Sequence, residues 1–335
     1  MRGVGPAPRS LLEVIVVLSL LLAASLSPVK EIPLAFNPGQ VAYLLALPGG
    51  LLLSTCDAIQ VPRASSDCKL FLLSGDGRVK KEQLLPHLGI EAPTNPVWGG
   101  EGVFLGDLRK GVVLTLDSHL QRRSEHLLKG SHPHPWYPRY LAAQEGRLFV
   151  TGCSPLRGYL DMGCLQVHEF VGEALRYQGS SLESEPIDQV WGSRPLSWQW
   201  VIGVSPRGEL WGVEEAAGRG YRRPLSGSTW ESLNFGAYAF KPPPYPKRAQ
   251  EEMATQLRAA FLAAVIAFLA DGNVAVAYAR QKENDSHVIV FSPQGKAFAK
   301  LPLRGRVVGQ VDGLVVTAER AGSWKLVFYR WDGGR

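Results

Sequence analysis

The feature that most constrains this chain is a unit that recurs six times: a short apolar strand, a tight glycine turn, a second strand rich in Val and Leu, a variable connection and a third strand ending in another Gly or Asp turn. The first copy reads VAYLLA from Val41, PGG, LLLST and KLFLLSGDG, and the second runs from Val97 through GGEG, VFLG and VVLTLDS. The third is YLAA from Tyr140, EG, RLFVTG and LQVHEFVGE; the fourth is WVIGV from Trp200, PRG, ELWGV and a weak third strand near Tyr221. The fifth is AVIAFL from Ala264, ADGN, VAVAYA and HVIVFSPQG, and the sixth is VVGQV from Val307, DG, LVVTA and KLVFYRWDGG. The turn glycines Gly50, Gly102, Gly146, Gly208, Gly272 and Gly313 stand 52, 44, 62, 64 and 41 residues apart. Tight hairpin turns need positive φ, which glycine supplies without strain. At 45% hydrophobic and 20% charged residues over 335 positions, disorder and coiled coil are excluded and a large core is within reach. A pair of β-sandwiches has no reason to repeat strand, turn and strand six times in register.

The period matches one four-stranded propeller blade, so the expected fold is all-β, a six-bladed β-propeller. The sixth copy stops after its third strand, while an unused strand, Ile32 to Phe36, precedes the first copy. That strand is expected to pair with Lys325 to Trp331 and close the ring, removing an exposed sheet edge. The DG turn followed by a Val-rich strand and VIVFSPQGK (Val288 to Lys296), or KLFLLSGDG (Lys69 to Gly77), resembles the six-bladed NHL-like β-propellers common among exported bacterial proteins. The resemblance covers Ile32 to Gly333, with the fourth copy departing most.

Arg2 and Arg9 precede an apolar run from Val14 to Ala24, and Ala23, Ala24 and Ser25 are the small residues a signal peptidase reads. Residues 1–25 are thus expected to be a signal peptide and residues 26–335 the propeller, placing the protein in the periplasm or outside the cell. Membrane contact is expected only through an uncleaved N-terminal segment. Cleavage removes two arginines and one glutamate, lowering the net charge of +6 by one. The basic residues come singly or in pairs among acidic ones, without the stripe that nucleic acid requires. An unknown protein, a glycan or a small molecule is the expected partner.

Short connections, from strand one to two and from strand three to four, fall on one face of such a ring, and the long ones gather on the other, where binding commonly resides. The long set carries HPHPWYPR (His132 to Arg139) and RPLSWQW (Arg194 to Trp200). His132 and His134 alternate with proline; Trp136, Tyr137, Trp198 and Trp200 are candidates for a stacking platform, with Arg139 and Tyr245 beside them, although Trp200 reads more readily as packing between blades. An insertion over about 226–262 contains the proline run KPPPYPKR and a short helix from Ala249 to about Leu262 leading into the fifth blade. Glu214 and Glu215 read as a solvated loop.

No GxSxG, Walker loop, HExxH or dinucleotide fingerprint is present, and no cofactor or metal is implied. The chain therefore reads as a binding or scaffolding module. The alternative, by resemblance to propeller lactonases, is a metal-dependent hydrolase whose Glu, Asn and Asp ligands reach into the channel, with Asn95 and Asn37 as the amide candidates.

Four cysteines admit three connectivities, and two close pairs in matching contexts, Cys56 with Cys68 and Cys153 with Cys164, favour local closure. Non-reducing peptide mapping is expected to recover these two bridges; a Cys56–Cys153 bridge, or free thiols in the exported protein, contradicts the alignment of the copies.

Overall fold

The computed structural model describes residues 25–38, 43–55, 68–128, 137–153, 167–181, 200–215, 218–240, 262–279 and 285–333. They form an all-β fold. The first unit contains β2 (Tyr43–Leu47), β3 (Gly50–Ser54), β4 (Lys69–Leu73) and β5 (Val79–Leu84), and the second contains β6 (Val97–Trp98), β7 (Val103–Asp107), β8 (Val112–Leu116) and β9 (Arg122–Leu127). The third is β10 (Tyr137–Gln144), β11 (Arg147–Cys153), β12 (Val167–Val171) and β13 (Arg176–Ser181); the fourth is β14 (Trp200–Val204), β15 (Glu209–Glu214), β16 (Gly220–Pro224) and β17 (Glu231–Ser232). The fifth is β18 (Leu262–Phe268), β19 (Val274–Ala279), β20 (Asp285–Phe291) and β21 (Ala297–Arg304). The last unit is β22 (Arg306–Val311), β23 (Leu314–Ala321) and β24 (Ser323–Asp332), with β1 (Ser25–Pro33) as its fourth strand.

Units two to five are separate antiparallel sheets; the last and first join through a short parallel contact, Leu44 with Gly309 and Leu45 with Gln310. Glycine is required at that join, because a Cβ on Gly309 would stand 2.2 Å from the Leu44 carbonyl oxygen. The first strands touch in cyclic order: β2 to β6, β10, β14, β18, β22 and back to β2. The core is accordingly distributed along the seams between units. Ile32, Leu34, Phe71, Leu73 and Leu326 fill the seam between the last unit and the first, and Val113, Leu141, Leu148 and Phe170 that between the second and third. Outer strands such as β5 and β9 are mostly polar and solvent-facing, which discourages edge pairing.

Two expectations shift. The N-terminal strand starts earlier than Ile32, with Ser25 already opposite Asp332 and Pro33 opposite Lys325, across a bulge between Pro28 and Lys30. Proline belongs at such a place, on an edge and beside a bulge. Part of the expected insertion belongs to the fourth unit itself: β17 pairs with β16, and Asn234 bridges to Lys296 of the fifth unit. The expected helix over Ala249 to Leu262 lies outside the described residues but for Leu262, which opens β18. Cys68 is buried and disulfide-bonded. The β3–β4 ladder is extended by the Thr55 N–H bond to the Lys69 carbonyl, one residue short of Cys56 and Cys68 in the sequence.

β1 does more than complete a ladder. Ile32 and Leu34 are buried against the first unit, Lys30 Nζ donates to the Gly75 carbonyl at 3.1 Å, and Lys325 Nζ meets Glu31 Oε1 at 2.8 Å. Deleting residues through Phe36 removes two buried side chains, at about 1.5–3 kcal/mol each, and several ladder bonds at about 1 kcal/mol each. The truncated chain is expected to melt lower and to aggregate; a truncation that melts with the mature chain and stays monomeric would show β1 to be only a tether.

Candidate functional site

The first strands enclose a central cavity of about 230 Å3, to which Leu44, Val97, Leu141, Ile202, Val265 and Val308 each contribute. Its two carboxamides act as clips between strands. Asn95 Nδ2 donates to the Leu141 carbonyl at 2.8 Å and the Leu141 N–H donates back to Asn95 Oδ1 at 2.8 Å, the two-point pattern of a neighbouring strand. Gln310 Oε1 accepts the Phe268 N–H. These bonds matter because neighbouring first strands share no ladder except at β2 and β22. Asn95, nominated as a metal ligand by the lactonase resemblance, has both ends of its amide engaged; among the described residues no three His, Cys, Asp or Glu side chains gather.

At the rim where the long connections leave, a buried carboxylate ties three units together. The register of β10 against β11 passes from Pro138–Gly152 to Tyr140–Thr151, making Arg139 the extra residue of a bulge. A bulge takes its residue out of the ladder and re-aims its side chain. Arg139 Nη2 donates to both oxygens of Glu215, at 2.9 and 2.8 Å, and the Tyr140 hydroxyl donates to Oε1 at 3.0 Å. Glu215 is only 3% exposed, and its backbone carbonyl accepts the Ala263 N–H of β18 at 2.7 Å. Beside it, Glu214 is buried and accepts from Arg219 Nε at 2.9 Å. Burial pushes the Glu214 carboxyl above the usual carboxylate range, with Arg219 opposing.

Glu214 and Glu215 are thus not a solvated loop. A buried carboxylate is tolerated only when paired and hydrogen-bonded, and the partner of Glu215 stands 76 residues earlier in the chain, which no local pattern could reveal. Arg139, expected at a binding surface, is largely buried in this tie. Trp200, expected in a stacking platform, is 0% exposed. Its carbonyl accepts the Thr151 hydroxyl at 2.9 Å and its ring meets Tyr221 edge-on at 5.6 Å, so it belongs to the seam between the third and fourth units. Tyr137 opens β10. His132, His134, Trp136, Trp198, Tyr245, Cys56 and Cys164 lie outside the described residues, and Cys153 ends β11.

No protein-family profile and no curated protein matches the chain. Solved structures do. A member of the DUF4221 family from Bacteroides vulgatus aligns with a TM-score of 0.66 at 9% identity, covering 92% of this chain and 98% of its own. A proposed exported protein from Bacteroides fragilis gives 0.54 at 11% identity over 92% and 95%. The WD40 repeats of RRP9 give 0.51 at 10% identity over 90% and 81%. WD40 repeats build β-propellers. The chain has a β-propeller fold, and at these identities the likeness concerns the fold alone.

The two carboxylates predict opposite responses. Glu215→Ala leaves Arg139 without its partner and is expected to cost about 3–5 kcal/mol, read as a lowered urea midpoint. For Glu214 the folded state holds the proton more tightly than the unfolded chain, so its contribution is present below pH 4.5 and lost as the pH rises through the raised folded value. Glu214→Gln, which does not titrate, is expected to gain on the parent protein as the pH rises above 4.5; parallel pH profiles would remove burial as the dominant influence on Glu214.

Proposed function

We propose that the chain is an exported six-bladed β-propeller, closed by β1 as the outer strand of the last blade, and that it works as a binding or scaffolding module. Its ligand or partner engages the face where the long connections gather. The observation that carries this reading is the cyclic contact order of the first strands. With antiparallel neighbours in every sheet, that order sends each strand-one to strand-two turn to one face and the connections leading to each first strand to the other. Residues 129–136, 182–199 and 241–261 belong to connections leading to first strands, with His132, His134, Trp136, Trp198 and Tyr245 among them, and residues 56–67 and 154–166 belong to strand-two to strand-three connections, which the same alternation assigns to that face. The polar groups at the rim and in the cavity, Arg139, Glu215, Asn95 and Gln310, are engaged in holding the blades together, so recognition falls to the connections. The apolar leader, the disulfide-bonded Cys68 and the likeness to a proposed exported protein support export.

Photo-cross-linking residues at His134, Trp198 and Tyr245 are expected to capture an envelope component, whereas the same probe at the exposed outer-strand positions Val79 and Leu127 is expected to capture none. Cross-links confined to the outer strands overturn the choice of face. Tightly held stoichiometric calcium or zinc with lactone hydrolysis by the purified protein favours the hydrolase reading instead.

A further inference from the structure

A recess of about 450 Å3 opens between the second and third units on the short-turn face, away from the long connections. The other seams on this face are filled by side chains. Arg207 occupies the space over Gly272, Arg222 and Leu233 that over Gly295, and Ile32 that over Gly77. Arg147 Nη1 crosses to the Leu225 carbonyl at 2.9 Å, and Lys81 Nζ crosses to the His119 carbonyl. Between the second and third units no such side chain of the described residues arrives: Gly146 and Gly172 line the recess, and apart from their chain neighbours no described atom lies within 4 Å of where their Cβ atoms would stand. The volume lies within the roughly 300–1,000 Å3 of small-molecule sites, and the central cavity lies below it.

The lining is chemically mixed. Phe104, its ring pressed so closely on Gly99 that a Cβ there would lie 2.2 Å away, supplies an apolar wall. Around it stand Thr115, Ser124, Arg123, Glu101 and Glu173. Ser124 Oγ is paired with His126 Nε2 at 2.8 Å, and Arg123 stands close enough to Asp117 to favour its ionised form. The set thus offers a donor-only guanidinium, acceptor-only carboxylates and hydroxyls that do both. An apolar ligand would leave these groups unmet, and a simple anion would face two carboxylates. A sugar ring has one apolar C–H face and a rim of hydroxyls that both donate and accept. We propose that this recess binds a saccharide, either as a free sugar or as one unit of an envelope glycan.

Saturation-transfer NMR on the mature protein, with glucose, galactose, mannose, N-acetylglucosamine and glucuronate and with their short oligomers, tests the assignment. Transfer to ring protons of at least one sugar is expected, and a stronger response from the oligomer identifies the glycan source. Gly172→Asn keeps a residue type that tolerates the left-handed backbone there while placing a side chain in the recess. It is expected to abolish transfer at an unchanged melting temperature, and Arg123→Gln to weaken binding about tenfold. No transfer to any sugar, or transfer that survives Gly172→Asn, overturns the proposal. None of the cross-linking positions His134, Trp198 and Tyr245 is among the residues that line the recess, so the two readings fail independently.

Discussion

The pairing of the first strand with the last is the constraint on which the rest depends. Each unit buries its flat faces only against its neighbours, so opening one seam uncovers two apolar surfaces at once. β1 lies at such a seam. It satisfies the ladder of β24 and wedges Ile32 and Leu34 between the last and first units, against Phe71 and Leu73. Hydrophobic burial and hydrogen bonding thereby act through one short segment, β1 and the Leu34 that follows it.

The innermost strands pose a separate problem, because neighbouring first strands, β2 and β22 apart, approach without sharing a ladder. Side chains take the place of the missing backbone partners: Asn95 pairs both of its ends with Leu141, Gln310 accepts from Phe268, and Thr151 donates to the Trp200 carbonyl. The Arg139–Glu215 tie does the same with charge, across three units. Such groups lock the relative placement of the blades, and in doing so they leave the cavity wall largely aliphatic. The polar residues of an inner propeller strand are here scaffold.

Local chemistry decided how much could be read from the residues alone. Turn glycines and alternating apolar strands are short-range signals, so the recurring strand, turn and strand pattern and the all-β propeller class were legible. The fourth copy was blurred because its third strand, β16, reads Gly-Tyr-Arg-Arg-Pro and lacks the apolar alternation of its counterparts. Arg139 and Glu215 were misread for a different reason. A bulge and a distant acid leave no periodic trace, and a Glu-Glu pair beside Ala-Ala-Gly has the composition of solvated turns. Trp200 entered the stacking set because its neighbours in the sequence, Trp198 and Arg194, are binding-type residues, and its burial follows the packing reading instead. The recess beside Phe104 was invisible for the same reason that it exists, since what defines it is side chains that are missing from Gly146 and Gly172.

The pairing of Ser25–Pro33 with Lys325–Asp332 joins segments far apart along the chain, Glu31 and Lys325 standing 294 residues from each other. Contacts so distant along the chain form slowly, and until they do β1 is a free edge that another chain could extend. Its sequence makes it a poor template for such growth. Pro28 and Pro33 lack the donors a new strand would need, and Lys30 and Glu31 bring charge to the middle of the segment. The residues that look least suited to a strand are the ones that let this strand wait for its partner without recruiting the wrong one.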